Sequence, residues 1–462
     1  MKSNVTVVIL AAGLGTRMKS KKAKVLHEAG GDTLLNQIIR AALAVARAES
    51  IVVVVGHQAE RVRDSVHIED VRFAEQTEQK GTGHAVMCAR GLAETAEGQL
   101  LILNGDGPLV KPATLRKLVD LSVTGAVGGK IVTTRLEDPY GYGRILRDEY
   151  GMVARVVEEK AATPPEREID EINPGLYCFN AALFWKHIDE LKPNPASHEF
   201  YLTDMVEIIA THGYAIAPLF IEDETELLGI NTRAELAVAD TILRARKAHS
   251  LMIAGVTIEN PASVLIDVDV EVGADSLIEA NVQLRGRTTV GEGCRIGAGA
   301  VLRDCEIGDG AVIQPYVVAE QSRIGKDAFV GPFARLRMNA DAGDGTHIGN
   351  FVELKKTRLG AGSKASHLAY LGDAVVGAGV NVGAGAITCN YDGQKKHQTV
   401  IEDGVFVGSN STLVAPLTVG AGSFIGAGSV ITKDVEADAL ALGRAPQTDK
   451  AGWAKRRRER KG

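Results

Sequence analysis

Two regions of the sequence collect residues that could do chemistry at useful spacing. The first is Leu10-Ala11-Ala12-Gly13-Leu14-Gly15-Thr16-Arg17-Met18, at the end of an aliphatic run that starts at Val5. Glycines let backbone N–H groups come close to phosphate oxygens, and the Arg17 guanidinium can fork onto the same oxygens. Lys24 follows, in a segment that also holds Lys19, Lys21 and Lys22. The run lacks the Gly-Lys-Ser/Thr of an ATPase phosphate loop and the third glycine of a dinucleotide fingerprint, so read alone it is as readily a tight turn. Asn104-Gly105-Asp106 closes a second aliphatic run, Leu100–Leu103. A carboxylate at the end of a strand can hold Mg²⁺ against triphosphate oxygens, although Asn-Gly-Asp by itself is more often a simple turn.

The second region lies far downstream. Asn350-Phe351-Val352-Glu353-Leu354-Lys355-Lys356 and Ser366-His367-Leu368-Ala369-Tyr370-Leu371-Gly372-Asp373 interrupt a bland sequence with charged and aromatic residues. Asn381 and Cys389-Asn390-Tyr391-Asp392-Gly393 follow. An imidazole titrates near neutrality, so His367 could take the proton of an amine that attacks a thioester. A lone histidine is more often a surface residue. Cys389 beside the same segment could be a nucleophile, but direct transfer to an amine needs none, and it reads as packing. His347, His367 and His397 show no zinc-ligand spacing.

These residues must be positioned by two different architectures. Of the 51 glycines, 20 lie in residues 1–254 and 31 in residues 255–462. In the first half, the aliphatic runs Val5–Leu10, Ile51–Val55 and Leu100–Leu103 alternate with helical patterns over Thr33–Ala48 and Thr82–Arg90. That alternation predicts βαβ units and a mostly parallel, Rossmann-like sheet, whose ligands bind at the carboxyl ends of the strands. Ala161–Glu171, with Pro164-Pro165, reads as a mobile surface loop, and Arg233–Lys247 as an amphipathic linker helix.

The second half repeats with a period of six. One register runs Val272, Ile278, Leu284, Val290, Ile296 and Leu302; a second runs Val312, Val318, Ile324, Val330, Leu336, Ala342, Ile348 and Leu354; a third runs Ile401, Val407, Leu413, Val419, Ile425 and Ile431. Each six-residue side points one aliphatic residue inward, and about 18 residues complete a triangular rung of a parallel β-helix. The period breaks between Val382 and Ile401, which predicts a surface excursion there. The tail ends Lys-Arg-Arg-Arg-Glu-Arg-Lys-Gly, a solvated run or an arm on a phosphorylated ligand.

Composition narrows the classes of function. A formal charge of −6 over 462 residues gives no global reason for a nucleic-acid partner. The five cysteines lie scattered without a CxxC pair, which argues against a disulfide scaffold and fits a reducing, cytoplasmic compartment. No stretch offers the ~20 apolar residues of a membrane helix.

The Leu10–Met18 segment and Asn104-Gly105-Asp106 resemble the signatures of sugar-1-phosphate nucleotidyltransferases, with further matches at Gln76, Gly81-Thr82, Gly141-Tyr142-Gly143-Arg144, Glu158, Glu171-Ile172-Asn173 and Gly229-Ile230-Asn231. With the hexapeptide repeat, SHLAYLGD, CNYDG and Arg444-Ala445-Pro446-Gln447, the whole chain resembles the bifunctional N-acetylglucosamine-1-phosphate uridylyltransferase/glucosamine-1-phosphate acetyltransferases of bacterial cell-wall synthesis. The resemblance implies a nucleotidyltransferase domain over 1–232, a linker helix over 233–252, a left-handed β-helix acetyltransferase domain over 253–434 and a basic arm over 435–462. It implies that Leu10, Ala11, Ala12, Gly13, Gln76, Gly81 and Thr82 frame uracil and ribose, with Asn104 and Gly105 at the same edge. Arg17 and Lys24 would neutralise the triphosphate, Asp106 and Asn231 would hold Mg²⁺, and Gly143, Glu158 and Asn173 would contact the sugar.

In the second half it implies His367 as general base and Arg337, Lys355, Tyr370 and Asn381 on the amino-sugar phosphate. Ala384, Asn390, Tyr391, Ser409, Ala427 and Arg444 would line the acetyl-CoA site, with Asn390 on the oxyanion. It also implies a homotrimer built through the β-helix, acting on small molecules and neither inserted in a membrane nor bound to nucleic acid. Three positions depart from the family pattern. Ala23 and Met338 stand where proline is usual, and Asn104 stands where an aromatic residue is common. The first should loosen the loop before Lys24. A nucleotidyltransferase carrying a non-catalytic, oligomerising β-helix is the competing reading; a zinc hydratase on a β-helix is a more distant one.

Overall fold

The computed structural model describes residues 4–95, 97–195 and 197–460. The chain divides into two compact units, Met1–Leu243 and Arg244–Gly462.

In the first unit the aliphatic runs become the buried centre of a mixed sheet. Strands Arg72–Glu75, Ile51–Val55, Val5–Leu10 and Gln99–Asn104 lie side by side and parallel. Tyr177–Asn180 then pairs antiparallel to Gln99–Asn104 and carries the sheet on to Val127–Arg135, Glu171–Asn173, Gly143–Arg147 and Val153–Val157. Ala215–Phe220 joins Val127–Arg135 in parallel. Val7, Val8 and Ile9 are fully buried, as are Ile51 through Val55 and Leu100 through Leu103, because helices cover both faces. Leu10 and Asn104 are register partners at the carboxyl ends of their strands, so the Leu10 and Asp106 segments emerge together.

The segment Ala161–Glu171 does run over the surface, and within it the chain makes one helical turn. Pro164–Arg167 is helical with proline at its start, Glu166 and Thr163 form a reciprocal cap, and Arg155 holds Glu166 at 2.6 Å. Glu171 already belongs to the strand Glu171–Asn173. The linker helix is longer than its amphipathic pattern suggests, running Arg233–Ile253.

The second unit is a prism of three parallel sheets with 11, 10 and 9 strands. Each strand pairs with the one a rung later; Ile278, Ile296, Ile313, Val330 and Ile348, for example, stack in register. Ile278, Leu284, Val290, Ile296 and Leu302 point inward as the period requires, as do the residues from Ile401 to Ile431. Val312 and Val318 do not: Val318 is exposed, and Ile313 and Ala319 fill the core in their place. The sides from Leu302 to Ile307 and from Ala319 to Ile324 are one residue short, each turned by a left-handed residue, Asp304 (φ 51°) and Gln321 (φ 47°). The repeat also continues past Val382. Ile387–Cys389 is a rung strand whose inward residue is Thr388, its hydroxyl 3.1 Å from Gly372 O and 2.8 Å from Gly372 N. A polar core residue therefore hid the period, and the excursion is confined to residues 390–398. The basic tail forms a short helix, Trp453–Glu459, with Arg457 over the Trp453 ring at 5.3 Å.

Candidate active sites

In the first unit, Gly105 N donates to Leu10 O at 2.9 Å and Ile230 N donates to Asp106 O at 2.9 Å. These backbone bonds bring three loops distant in sequence to one point. There the Lys24 ammonium pairs with Asp106 Oδ2 and lies 3.0 Å from Asn231 Oδ1, which also accepts from Arg17 Nη2 at 2.7 Å. Asn231 is fixed in turn by Glu235, whose Oε2 accepts from its N–H at 2.6 Å. Ala23 is buried and its N–H donates to Gln58 Oε1 at 3.2 Å, a bond that proline could not make. The loop before Lys24 is thus tied rather than loosened.

Two cavities meet at this point. One, ≈ 560 Å³, is walled by Leu10, Ala11, Ala12, Gly13, Lys24, Gln76, Gln79, Gly81 and Thr82. The other, ≈ 300 Å³, is walled by Arg17, Gly143, Glu158, Asn173, Thr203 and Asn231. Leu10, Thr82, Asn104, Asp106 and Glu158 border both. Gln76 is pinned by Gly81 O (3.0 Å) and His84 Nδ1 (3.1 Å). Gly81 has φ +98°, and a Cβ there would stand 2.6 Å from Phe200 O, so only glycine fits. Asn104 reaches Pro174 O at 3.4 Å instead of presenting an aromatic face. In the smaller cavity, Glu158 accepts from the Thr203 hydroxyl at 3.0 Å, and Asn173 donates to the Tyr177 hydroxyl at 2.7 Å. Burial pushes the Glu158 carboxyl above the usual carboxylate range, against the pull of that hydroxyl.

In the second unit, His367 is the register partner of Asn350, and its Nδ1 lies 2.9 Å from Asn350 Oδ1. A backbone ladder continues this corner rung by rung: Gly385 N to His367 O (3.4 Å), Asn410 N to Ala384 O (2.7 Å) and Gly428 N to Ser409 O (2.8 Å). His367, Ala384, Ser409 and Ala427 therefore form one column along the prism axis. With rungs about 4.8 Å apart, the column runs for about 14 Å. Its members beyond His367 are small, which leaves a smooth track, and the Arg444 side chain lies beside Gly428 at its far end. Gly349 allows the rung below to close, since a Cβ there would stand 1.8 Å from Ser366 O.

Around the corner, Arg337, Lys355 and Gly372 are successive partners on the adjoining sheet, and Tyr370 follows Glu353. Arg337 Nε donates to Glu353 Oε1 at 2.6 Å, and Lys355 Nζ to Asp373 Oδ2 at 2.6 Å. Asn381 stands apart from these, on the face of Lys364 and Phe406. Asn390 is buried and donates through Nδ2 to Asp373, while Tyr391 is exposed with its hydroxyl on Gly393 O (2.7 Å). Met338 is a half-exposed neighbour of the Arg337 guanidinium.

Comparison with known proteins bears on both units. Residues 7–161 match the MobA-like NTP transferase domain, 260–332 the GMPPB C-terminal domain, and 398–433 the bacterial transferase hexapeptide repeats. A bifunctional protein GlmU of Solibacter usitatus is 52% identical over 459 residues, covering 99% of this chain and 98% of that protein. Its counterparts in an Anaeromyxobacter strain and in Koribacter versatilis are 50% and 46% identical over 98% of this chain. The chain belongs to the bifunctional GlmU family. The α/β nucleotidyltransferase unit and the left-handed hexapeptide β-helix are thus the GlmU architecture.

Several residues of this GlmU-family chain border the sites without a sequence signal that singles them out. Gln79 donates to Ala12 O at 2.7 Å beneath the larger cavity, and Thr203 holds Glu158. Asp373 lies at the end of the SHLAYLGD segment, where its acidity was visible but its partners were not. Burial raises the Asp373 carboxyl, but hydrogen bonds from Lys355 and Asn390 outweigh it and hold the group below the usual range. Burial likewise works against the Lys355 charge, and the bond to Asp373 prevails, raising its amine. Lys396, exposed on the excursion, is lowered by the neighbouring Lys355 ammonium, with Arg337 adding to the effect. Three cations thus converge on one patch.

Proposed function

We propose that the two cavities meeting at Asp106 carry uridylyl transfer and that the His367 corner carries acetyl transfer. The chain is a bifunctional transferase that makes UDP-N-acetylglucosamine: it acetylates glucosamine-1-phosphate and uridylylates the product. Nucleotide and acetyl-CoA are its co-substrates.

The observation that carries the first assignment is the shared wall. A nucleotide in the larger cavity and a sugar phosphate in the smaller one meet beside Lys24, Asp106 and Asn231. Arg17 and Lys24 neutralise the phosphates and orient the α-phosphorus toward the incoming sugar phosphate, while pyrophosphate leaves. Asp106 and Asn231 offer hard oxygens to one cation, at present the Lys24 ammonium, and that donor set suits Mg²⁺. When bound there, Mg²⁺ supplies charge neutralisation at phosphate oxygens. Glu158, Asn173 and Gly143 border the sugar.

The column from His367 to Ala427 supports the second assignment. A long, thin ligand such as acetyl-CoA fits a track of small side chains, with its thioester at the histidine and its charged end near Arg444. Asn350 Oδ1 accepts a hydrogen bond from Nδ1–H, so Nε2 is left to take the proton of the attacking amine. Arg337, Lys355 and Lys396 hold the sugar's phosphate, Tyr370 its ring, and Tyr391 flanks the coenzyme. The second N–H of Asn390 stabilises the tetrahedral oxyanion.

A homotrimer formed through the β-helix accounts for an exposed ridge. Tyr316, Phe333 and Phe351 stack at 5.3 and 5.6 Å, each at least half exposed and with positive φ, and Leu368 continues the line. Residues of this kind in a left-handed conformation are uncommon and costly, and a second copy covering them supplies the compensation. No helix among the described residues is long and apolar enough to cross a membrane, and the free cysteines suit a cytoplasmic location.

The test is product formation by the intact chain from glucosamine-1-phosphate, acetyl-CoA and UTP. UDP-N-acetylglucosamine should appear only when all three are supplied. Thiol release that is absent while uridylylation of added N-acetylglucosamine-1-phosphate proceeds would reduce the β-helix to a scaffold.

A further inference from the structure

Asp373 lies where the two substrate sets of the β-helix site adjoin. It turns a five-residue side, from Leu371 to Val376, with φ 48°, and its N–H donates to Lys355 O at 3.0 Å. Asp is among the few residues that tolerate this left-handed conformation. The backbone bond places its carboxylate over the rung that carries Lys355, one rung from Asn390.

One oxygen does two things. Asp373 Oδ2 accepts from Lys355 Nζ at 2.6 Å and also from Asn390 Nδ2, while Oδ1 is 3.9 Å from Lys356 Nζ. Lys355 is 3% exposed and Asn390 8%. A buried ammonium and a buried carboxamide on one acceptor cannot separate without leaving a polar group unpaired. Their spacing is therefore fixed by a residue that belongs to neither set.

We infer that Asp373 is a positioning residue that aligns the amino-sugar phosphate with the acetyl donor by holding Lys355 and Asn390 on a single carboxylate oxygen. The inference rests on the assignment of Lys355 to the sugar phosphate and Asn390 to acetyl-CoA proposed above. A residue that only neutralised Lys355 would have no bond to Asn390, and one that only braced the loop would have none to Lys355.

The experiment is steady-state acetyl transfer by full-length Asp373→Asn, with glucosamine-1-phosphate and acetyl-CoA varied separately. Both KM values should rise, each by about tenfold, the worth of one hydrogen bond to a charged group. Uridylyl transfer in the same preparation should not change. A double-mutant cycle between Lys355→Met and Asn390→Ser should show coupling of about fivefold in the parent and none in the Asp373→Asn background.

A second variant, Lys355→Met with Asp373→Leu, replaces the buried pair as a unit and so avoids an unpaired charge if Asp373→Asn does not fold. Its acetyl-CoA KM should still rise, although every residue assigned to acetyl-CoA is intact. An acetyl-CoA KM that stays at the parent value in either folded variant, or coupling that persists without Asp373, overturns the inference. A parent chain that releases no thiol from acetyl-CoA with glucosamine-1-phosphate overturns the functional assignment instead.

Discussion

Asn350 Oδ1 stands 2.9 Å from Nδ1 of His367, across one rung of the β-helix. The carboxamide oxygen selects the tautomer with its proton on Nδ1 and leaves Nε2 unprotonated, as the proposed base requires. Asn350→Ala should lower kcat of acetyl transfer by about tenfold, because the ring loses its orientation and tautomer while both substrates still bind. KM values near the parent's would accompany that loss. An unchanged kcat would show that the pair plays no part.

Asp106 should matter to one activity only. Asp106→Asn removes the carboxylate charge that pairs with Lys24, and uridylyl transfer should fall by at least about 100-fold, the scale set by losing charge stabilisation at a reacting phosphoryl group. Thiol release from acetyl-CoA should stay within twofold or so of the parent. Both activities can be read in one preparation.

The track beyond His367 depends on small side chains. Ala427→Leu places a branched side chain on it, and the acetyl-CoA KM should rise by about 10- to 100-fold from overpacking, while the glucosamine-1-phosphate KM holds. Initial-rate kinetics with each substrate varied would separate the two effects.

Glu158 gives a pH signature. Burial raises its carboxyl in the folded chain, with Thr203 opposing, so its proton returns at a higher pH than for an ordinary carboxylate. The raised value means that the ionised form is penalised by folding: its stability contribution is most favourable at low pH and is lost as pH rises through the folded value. The catalytic consequence has the opposite sign. With Glu158 bordering the sugar as proposed, the ionised group is the better hydrogen-bond acceptor, so the KM for N-acetylglucosamine-1-phosphate should rise as pH falls through that same value. Glu158→Gln should abolish this limb and carry a pH-independent, elevated KM. A limb that persists in the glutamine variant would assign it to another group.

Much of this was legible from residue types because both folds are built on aliphatic periodicity. Val5–Leu10 and Ile51–Val55 form strands with the bounds that their largely aliphatic runs set, since a sheet buried on both faces favours such residues throughout. The β-helix was legible wherever its sides keep six residues. Val312 and Val318 were misplaced because two sides are one residue short, and a side's length is set by a left-handed turn residue that composition does not mark. Thr388 escaped notice because its hydroxyl is satisfied by the Gly372 backbone, so a polar residue sits in an aliphatic slot. The helical turn at Pro164 carries no aliphatic periodicity to mark it, and proline begins helices as readily as it ends them. At the sites, residues in contiguous motifs stood out, Asp373 among them without its partners, whereas Thr203 and Lys396 acquire their roles only from neighbours that folding supplies.

The role proposed for His367 makes the β-helix unit an enzyme rather than a scaffold. Thiol release from acetyl-CoA in the presence of glucosamine-1-phosphate, compared between the parent and His367→Ala, tests it most directly. Release by the parent and a fall of about 100- to 10,000-fold in the variant, the range for losing a general base, are expected, with uridylyl transfer intact. Equal release by both chains, or none by a folded parent, would contradict it.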